Sequence, residues 1–185
     1  MSHTFELAPS GRSKCRACGQ SIERGELRFG ERLPNPFSDG AEMTVWFHPL
    51  CAAYKRPEPL LQALGESPPE MPDRALLERT ARSGLEHPHL ARIDGAERAA
   101  SGQAKCRSCH EPIARGELRV RVVFWEEGRF TPGGYVHLGC RTAYFGTDAV
   151  LDRLLHFSPG LDETDREDLT RECGTDSTPP SAPDG

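Results

Sequence analysis

One pattern of potential metal ligands occurs twice in this chain. Cys15-Arg16-Ala17-Cys18 is followed by His48-Pro49-Leu50-Cys51, and Cys106-Arg107-Ser108-Cys109 by His137-Leu138-Gly139-Cys140. Two thiolates spaced Cys-x2-Cys reach one ion from a tight turn. His-x2-Cys at a helix start presents an imidazole and a third thiolate to the same ion. Three thiolates and one imidazole close a tetrahedral set for Zn2+ and leave no position for a reactive water. The pattern therefore argues for two structural zinc ions and against a catalytic metal. Zinc binding at such sites is worth roughly 10–16 kcal/mol, comparable with the stability of a small domain. Each module is expected to unfold without its metal.

The match extends beyond the ligands. At a shift of 91 residues, Ser10-Gly11-Arg12-Ser13-Lys14-Cys15 lies over Ser101-Gly102-Gln103-Ala104-Lys105-Cys106, and 21–28 lies over 112–119. The His/Cys pairs match at a shift of 89, so the second copy is two residues shorter between fixed ligand pairs. A loop-length change between fixed points is what one module used twice shows.

With 36% apolar residues, 18 Gly and 16 Pro in 185 residues, one large core is not available, and small modules of this kind need staples. MSHTFELAPS lacks the basic start and apolar run of a secretory signal, and no stretch reaches membrane-span length. The expected location is intracellular: cytoplasmic or nucleoid-associated in a bacterium, nuclear in a eukaryote. In a reducing compartment a chain with seven cysteines uses them for metal ligation rather than disulfides, six here falling in the two ligand sets. The Cys106-x-x-Cys109-His110 run also fits c-type haem attachment, but the first copy has Gly19 at that position. A redox Cys-x-x-Cys would not need a downstream His-x2-Cys twice. Net charge is −5, yet both 8–57 and 101–145 are locally basic at +3, and Arg outnumbers Lys 20 to 3. Focused basic surfaces built from Arg suit bidentate phosphate contacts.

Within each repeat the pattern predicts a strand at Glu26–Arg32 or Glu117–Phe124, a Pro/Gly-rich loop at Pro34–Gly40 or Glu126–Gly134, and a helix at Pro49–Lys55 or Leu138–Phe145. Second helices are expected from Pro72-Asp73 to about Arg82, with Gly84 beyond the end, and from a capping box at Thr164 to Gly174. The fold class is small α+β zinc-bound domains, each a short antiparallel sheet plus helices around a Cys3His site. Finger one spans 8–83, a linker 84–100, finger two 101–174, and a disordered acidic, Pro-rich tail 175–185. Trp46 is expected in the core, Cys173 as a partly buried thiol, and His3, His87, His89, His110 and His156 at the surface.

Ala8-Pro9-Ser10-Gly11-Arg12 with Cys15 and Cys18, Ile22 to Arg28, and Trp46-Phe47-His48-Pro49-Leu50-Cys51 resemble the PARP-type zinc finger of poly(ADP-ribose) polymerases and DNA ligase III. The long gaps between ligand pairs, 29 and 27 residues, fit that family. The resemblance implies recognition of DNA strand breaks by structure rather than base sequence. By position, phosphate-gripping arginines fall on Arg12 and Arg28, and the apolar surface for an exposed base pair falls near Phe37 and Met43. In the second copy Gln103 replaces the equivalent of Arg12, and Glu126 and Glu127 lie in its loop. There Arg119 and Arg121 are the candidates for phosphate, Trp125 and Phe130 for stacking. No nucleotide loop or nucleophile elbow is present in the sequence. The expectation is a non-enzymatic break sensor or repair adaptor, working with a separate enzyme such as a ligase and with no membrane partner. The alternative is a zinc-stabilised protein–protein interaction module.

Overall fold

The computed structural model describes residues 2–35, 40–67 and 70–174. The chain divides into two compact units, Met1–Arg92 with Val123–Pro132, and Ile93–Val122 with Gly133–Gly185. Each holds one of the repeated ligand sets.

Unit one contains a three-stranded antiparallel sheet in the order β1 (Thr4–Leu7), β2 (Leu27–Pro34) and β3 (Glu42–Phe47). Aromatic side chains tie the strands together across the register. Phe5 pairs with Phe29 and Phe29 with Phe47, with ring centroids 5.4 and 6.2 Å apart. Phe29 and Phe47 are fully buried. Three helices follow: α1 (Pro49–Lys55), α2 (Pro57–Gly65) and α3 (Arg74–Glu86). Pro49 and Pro57 sit at first-turn positions, where the missing N–H costs nothing. Ala52, Leu60, Leu64, Leu77 and Ala81 pack these helices together. A short 3-10 helix, Pro88–Arg92, ends the first segment.

Unit two repeats the sheet with β4 (Ile93–Arg98), β5 (Leu118–Glu126) and β6 (Arg129–His137), the tip of β5–β6 belonging to unit one. The strand β4 carries a bulge between Ile93 and Ala96. It contains Gly95 at φ 97°, where an added Cβ would lie 2.4 Å from the Phe157 carbonyl oxygen. Ser158 Oγ accepts from the Ala96 N–H at 2.7 Å. Three helices complete the unit: α4 (Arg141–Phe145), α5 (Leu151–His156) and α6 (Glu163–Cys173). Arg98 ties α6 to β4 through Asp165 and Asp168, at 2.7 and 2.6 Å.

Helix α1 and the main strands lie where the pattern placed them, within two residues. Several elements differ. The segment 84–100 carries the end of α3, a 3-10 helix and β4. Gly84 lies inside α3 and is buried, rather than standing beyond the helix end. The span 138–145 splits into a 3-10 turn, Leu138–Cys140, and α4. The cap of α6 is Asp162, which accepts from the Asp165 N–H at 2.8 Å, not Thr164. The strands β5 and β6 join through a two-residue turn, Glu127 (φ 48°) and Gly128 (φ 80°), not a long loop. Phe47, rather than Trp46, is the core residue, because Trp46 faces Arg28 and remains half-buried. Cys173 is half-buried, as expected. His3 and His156 are half-buried against Phe29 and Phe157, leaving His110 as the exposed member with His87 and His89 intermediate. The expected disordered tail, 175–185, lies outside the described residues. Among the described residues no helix is long and apolar enough to cross a membrane.

Candidate metal centres and the basic cleft

Each Cys-x2-Cys pair sits on a turn held by its own backbone. Cys15 N–H donates to Gln20 O at 2.8 Å and Gly19 N–H to Cys15 O at 2.9 Å. In the second copy Cys106 N–H donates to Glu111 O and His110 N–H to Cys106 O, both at 2.9 Å. The turn closes through a left-handed residue, Gly19 at φ 74° and His110 at φ 65°. The third ligand stands at the end of the last strand, His137 as the final residue of β6 and His48 directly after β3, and the fourth lies in the following helical turn.

The four donor atoms of each set lie within 4.8 Å of one another. Nδ1 of His48 stands 3.4 Å from Cys18 Sγ and 3.9 Å from Cys51 Sγ. Nδ1 of His137 stands 3.3 Å from Cys109 Sγ and 3.9 Å from Cys140 Sγ. Tetrahedral zinc with ordinary bond lengths sets this edge at roughly 3.6 Å, so both sets fit the ion. The other ring nitrogen is occupied: His137 Nε2–H donates to Pro112 O at 3.1 Å, and the His48 ring bonds the Ser21 backbone. That choice leaves the Nδ1 lone pair for the metal.

The electrostatics ask for a cation. The Cys15 thiol is drawn far down by hydrogen bonds from Cys18 and Cys51, with help from the backbone of Cys18 and His48. The Cys51 thiol is driven far up by the adjoining Cys15 and Cys18 sulfurs and by burial. Binding of a divalent ion displaces the proton that Cys51 holds beside Cys15 and Cys18. When bound, zinc supplies a fixed structural node. The residues hold the turn, the strand end and the helix start in one geometry.

Beside the first centre a surface cleft of about 500 Å³ is lined by Arg12, Lys14, Arg16, Thr44 and Trp46. Arg12, Lys14 and Arg16 are all exposed. Lys14 and Arg16 do not figure among the site residues expected from the sequence, although the Lys-Cys-Arg run common to both repeats marks them. Arg28 lies beneath, 6% exposed, its guanidinium 3.6 Å from the Trp46 ring centre. It is ion-paired with Glu6 and donates to Ser13 Oγ at 2.6 Å. Arg119 is placed alike, paired with Glu97 and 3.4 Å from the Tyr135 ring centre. Arg121 donates to the carbonyls of Asp94 and Phe157 at 2.6 and 3.3 Å.

Met43 pairs with Leu33 in the β2–β3 register and sits under the Gly128 turn, where an added Cβ would meet its Cε at 2.5 Å. Trp125 contacts Phe47 and Phe130, with centroids 6.1 and 4.7 Å apart, and carries the Arg56 guanidinium over its ring. Phe37 lies outside the described residues.

Residues 6–75 match the family described as the poly(ADP-ribose) polymerase and DNA-ligase Zn-finger region. A poly(ADP-ribose) polymerase of Sarcophaga peregrina is 28% identical over 169 residues, covering 80% of this chain and 17% of that protein. The polynucleotide 3′-phosphatase ZDP of Arabidopsis thaliana is 27% identical over 161 residues, covering 73% of this chain and 23% of that protein. The Gallus gallus poly(ADP-ribose) polymerase 1 is 25% identical over 130 residues, 62% of this chain and 13% of its own length. The chain thus spans less than a quarter of the length of these relatives. The ligand geometry and the matched segment agree: residues 6–75 match the poly(ADP-ribose) polymerase and DNA-ligase family of zinc fingers, and a second Cys3His module of the same sheet and ligand order follows them.

Proposed function

We propose that the chain is a zinc-dependent DNA-binding protein that recognises nicks, gaps and ends by structure rather than sequence. The observation that carries this is the cleft of Arg12, Lys14 and Arg16 beside Trp46, mounted on a metal-fixed finger of this family. Guanidinium and ammonium groups on a rigid edge position a phosphate backbone and carry no base information. The family description joins the finger to DNA ligases, and one relative is named for a 3′-phosphatase of polynucleotides. Ligation and 3′-phosphate removal both take place at strand ends.

In this reading Arg12 grips phosphate together with Lys14 and Arg16. Arg28 supports them from below by holding Ser13 and the Trp46 ring. Phe37 and Met43 are the proposed contacts to an exposed base pair, where stacking contributes roughly 1–3 kcal/mol per base. The second finger reinforces binding, with Arg119 as the counterpart of Arg28. Arg121, Trp125 and Phe130 are engaged within the chain and contribute through the fold. The protein acts as a non-enzymatic damage sensor or adaptor that marks a break for a separate repair enzyme such as a ligase.

The triple charge reversal R12E/K14E/R16E tests this. It is expected to lower affinity for a nicked hairpin at least tenfold while both zinc ions remain bound, and retained affinity refutes the reading. Protein docking is the second reading, favoured by the exposed acidic residues of α6 that lie outside its ion pairs, Glu163, Glu167 and Glu172. Under that reading the charge reversal changes no DNA binding.

A further inference from the structure

The turn of the β5–β6 hairpin is half in water and half out of it. Glu126, Glu127 and Arg129 are exposed, while Gly128 between them is buried. Within unit one Gly128 rests on the β2–β3 sheet. An added Cβ there would lie 2.5 Å from Met43 Cε, 3.3 Å from Leu33 Cδ1 and 3.9 Å from Val45 Cγ1. Met43 and Leu33 are cross-strand partners, and both are half-buried. Behind the tip the hairpin is anchored by aromatic contacts. Trp125 lies 6.1 Å from Phe47 and 4.7 Å from Phe130, and Lys55 Nζ stands 5.0 Å from the Phe130 ring centre. The turn itself is not relaxed, because Glu127 sits at φ 48°, a region that glutamate disfavours. Thr131 Oγ1 ties it by donating to Glu126 at 3.1 Å. Beyond Thr131 the strand reads Pro132-Gly133-Gly134, residue types that loosen a ladder.

We propose that the Glu126–Arg129 tip is a displaceable plug on the apolar patch of Met43, seated in the free chain and pushed off by the exposed base pair of a break. This rests on the reading of Met43 given above. Trp125 and Phe130 stay in place as the root, and the strained turn lifts. A break offers a flat apolar face that competes with Gly128 for Met43. A closed duplex has no such face and brings phosphates toward Glu126 and Glu127, whose charge repels them. A ligand shifts an equilibrium only by its differential affinity for the two states, so the break opens the plug and the closed duplex does not. A patch that is free for only a fraction of the time binds more weakly by that fraction. The plug therefore lowers affinity for every DNA that needs Met43 and sharpens the choice of broken over closed duplex.

The test uses the full zinc-loaded chain, a nicked hairpin and closed circular duplex. Amide exchange over residues 126–129 should quicken when the unmodified chain binds the nicked hairpin, and stay as it was with closed duplex. Gly128→Val should unseat the tip. Met43 can swing aside from an added Cβ, but a β-branched residue at φ 80° is strained whatever its neighbours do. Affinity for the nicked hairpin should then rise about fivefold, the factor that the cost of a left-handed L-residue carries in an equilibrium. Affinity for closed duplex should not change. Thr131→Val, which cuts the tie to Glu126 without adding strain, should act in the same direction by less. In a Met43→Ala background Gly128→Val should give no gain. Zinc stoichiometry is measured on every variant, and exchange in the unmodified chain carries the test where a variant loses its metal. Unchanged or slower exchange of 126–129 in the nicked complex overturns the plug and leaves a preference for nicks standing. So does an affinity that neither zinc-replete variant raises, or a gain that survives Met43→Ala. An unmodified chain with no preference for the nicked hairpin overturns the reading on which the plug rests.

Discussion

The pair Glu31–Arg56 sets an asymmetry that stability measurements can read. The Glu31 side chain is 2% exposed in β2, and both carboxylate oxygens accept from Arg56, with Nε at 2.8 Å. Arg56 is 22% exposed and stacks over Trp125 at 4.3 Å. Arg56→Met leaves a carboxylate sealed in the sheet, and removing one partner of a buried pair costs roughly 3–5 kcal/mol. Glu31→Gln leaves a guanidinium that can turn toward water and keep its ring contact, so the loss is nearer that of one charged hydrogen bond, roughly 1.5–3 kcal/mol. At roughly 4–8 °C per kcal/mol for a unit of this size, Arg56→Met lowers Tm by at least about 12 °C. Urea titration at saturating zinc gives both values. The double variant Glu31→Leu/Arg56→Met should be more stable than Arg56→Met alone, since no unpaired charge is left buried. A cost for Arg56→Met below that for Glu31→Gln, or below about 1 kcal/mol, refutes the reasoning.

Chelation should unfold both units, and metal analysis should return two zinc ions per chain. Because Cys51 holds its proton tightly beside Cys15 and Cys18, metal binding must expel protons. Zinc affinity therefore falls as pH falls, and equal affinities at pH 6 and pH 8 against a chromophoric chelator contradict this. Gly30→Val should cost roughly 1–3 kcal/mol, since a Cβ there would lie 2.6 Å from Trp46 Cζ3. Tryptophan fluorescence should report the displaced ring, and an unchanged spectrum and stability count against the packing described. Asp168 is held below the usual carboxylate range by Arg98 first, then Arg171. A depressed folded pKa stabilises fully above the unfolded value and fades as pH falls below about 4. Protection factors of the α6 amides, corrected for intrinsic exchange, should therefore fall in acid, and Asp168→Asn should reduce that loss.

Zinc ligation was legible because Cys-x2-Cys and His-x2-Cys leave little geometric freedom. Helix α1 was equally plain, with Pro49 at its first position directly after a ligand. The edge strands were harder. Thr4–Leu7 and Ile93–Arg98 are short and mix charge with apolar residues, so their pattern resembles a linker. Helix α2 was hidden by Pro57 and Pro59, which read as breakers, although Pro57 in a first turn is favourable. The β5–β6 hairpin was hard to read from Glu127-Gly128, because only the glycine favours the left-handed region and Glu is not a usual first residue of such a turn. Its strands brought Trp125 onto Phe47 and Arg56, contacts that no local pattern encodes. The placement of Arg28 depends on Glu6 lying opposite it across the sheet, which the register of β1 decides. Periodicity cannot supply that pairing when the strand itself goes unread.

The most direct test of the account is competition between a nicked hairpin and closed circular duplex of equal base-pair content for the zinc-loaded chain. The account predicts that the nicked hairpin binds at least tenfold more tightly, about 1.4 kcal/mol of discrimination. Equal affinity for the two, with both zinc ions in place, contradicts it and leaves a zinc scaffold without break recognition.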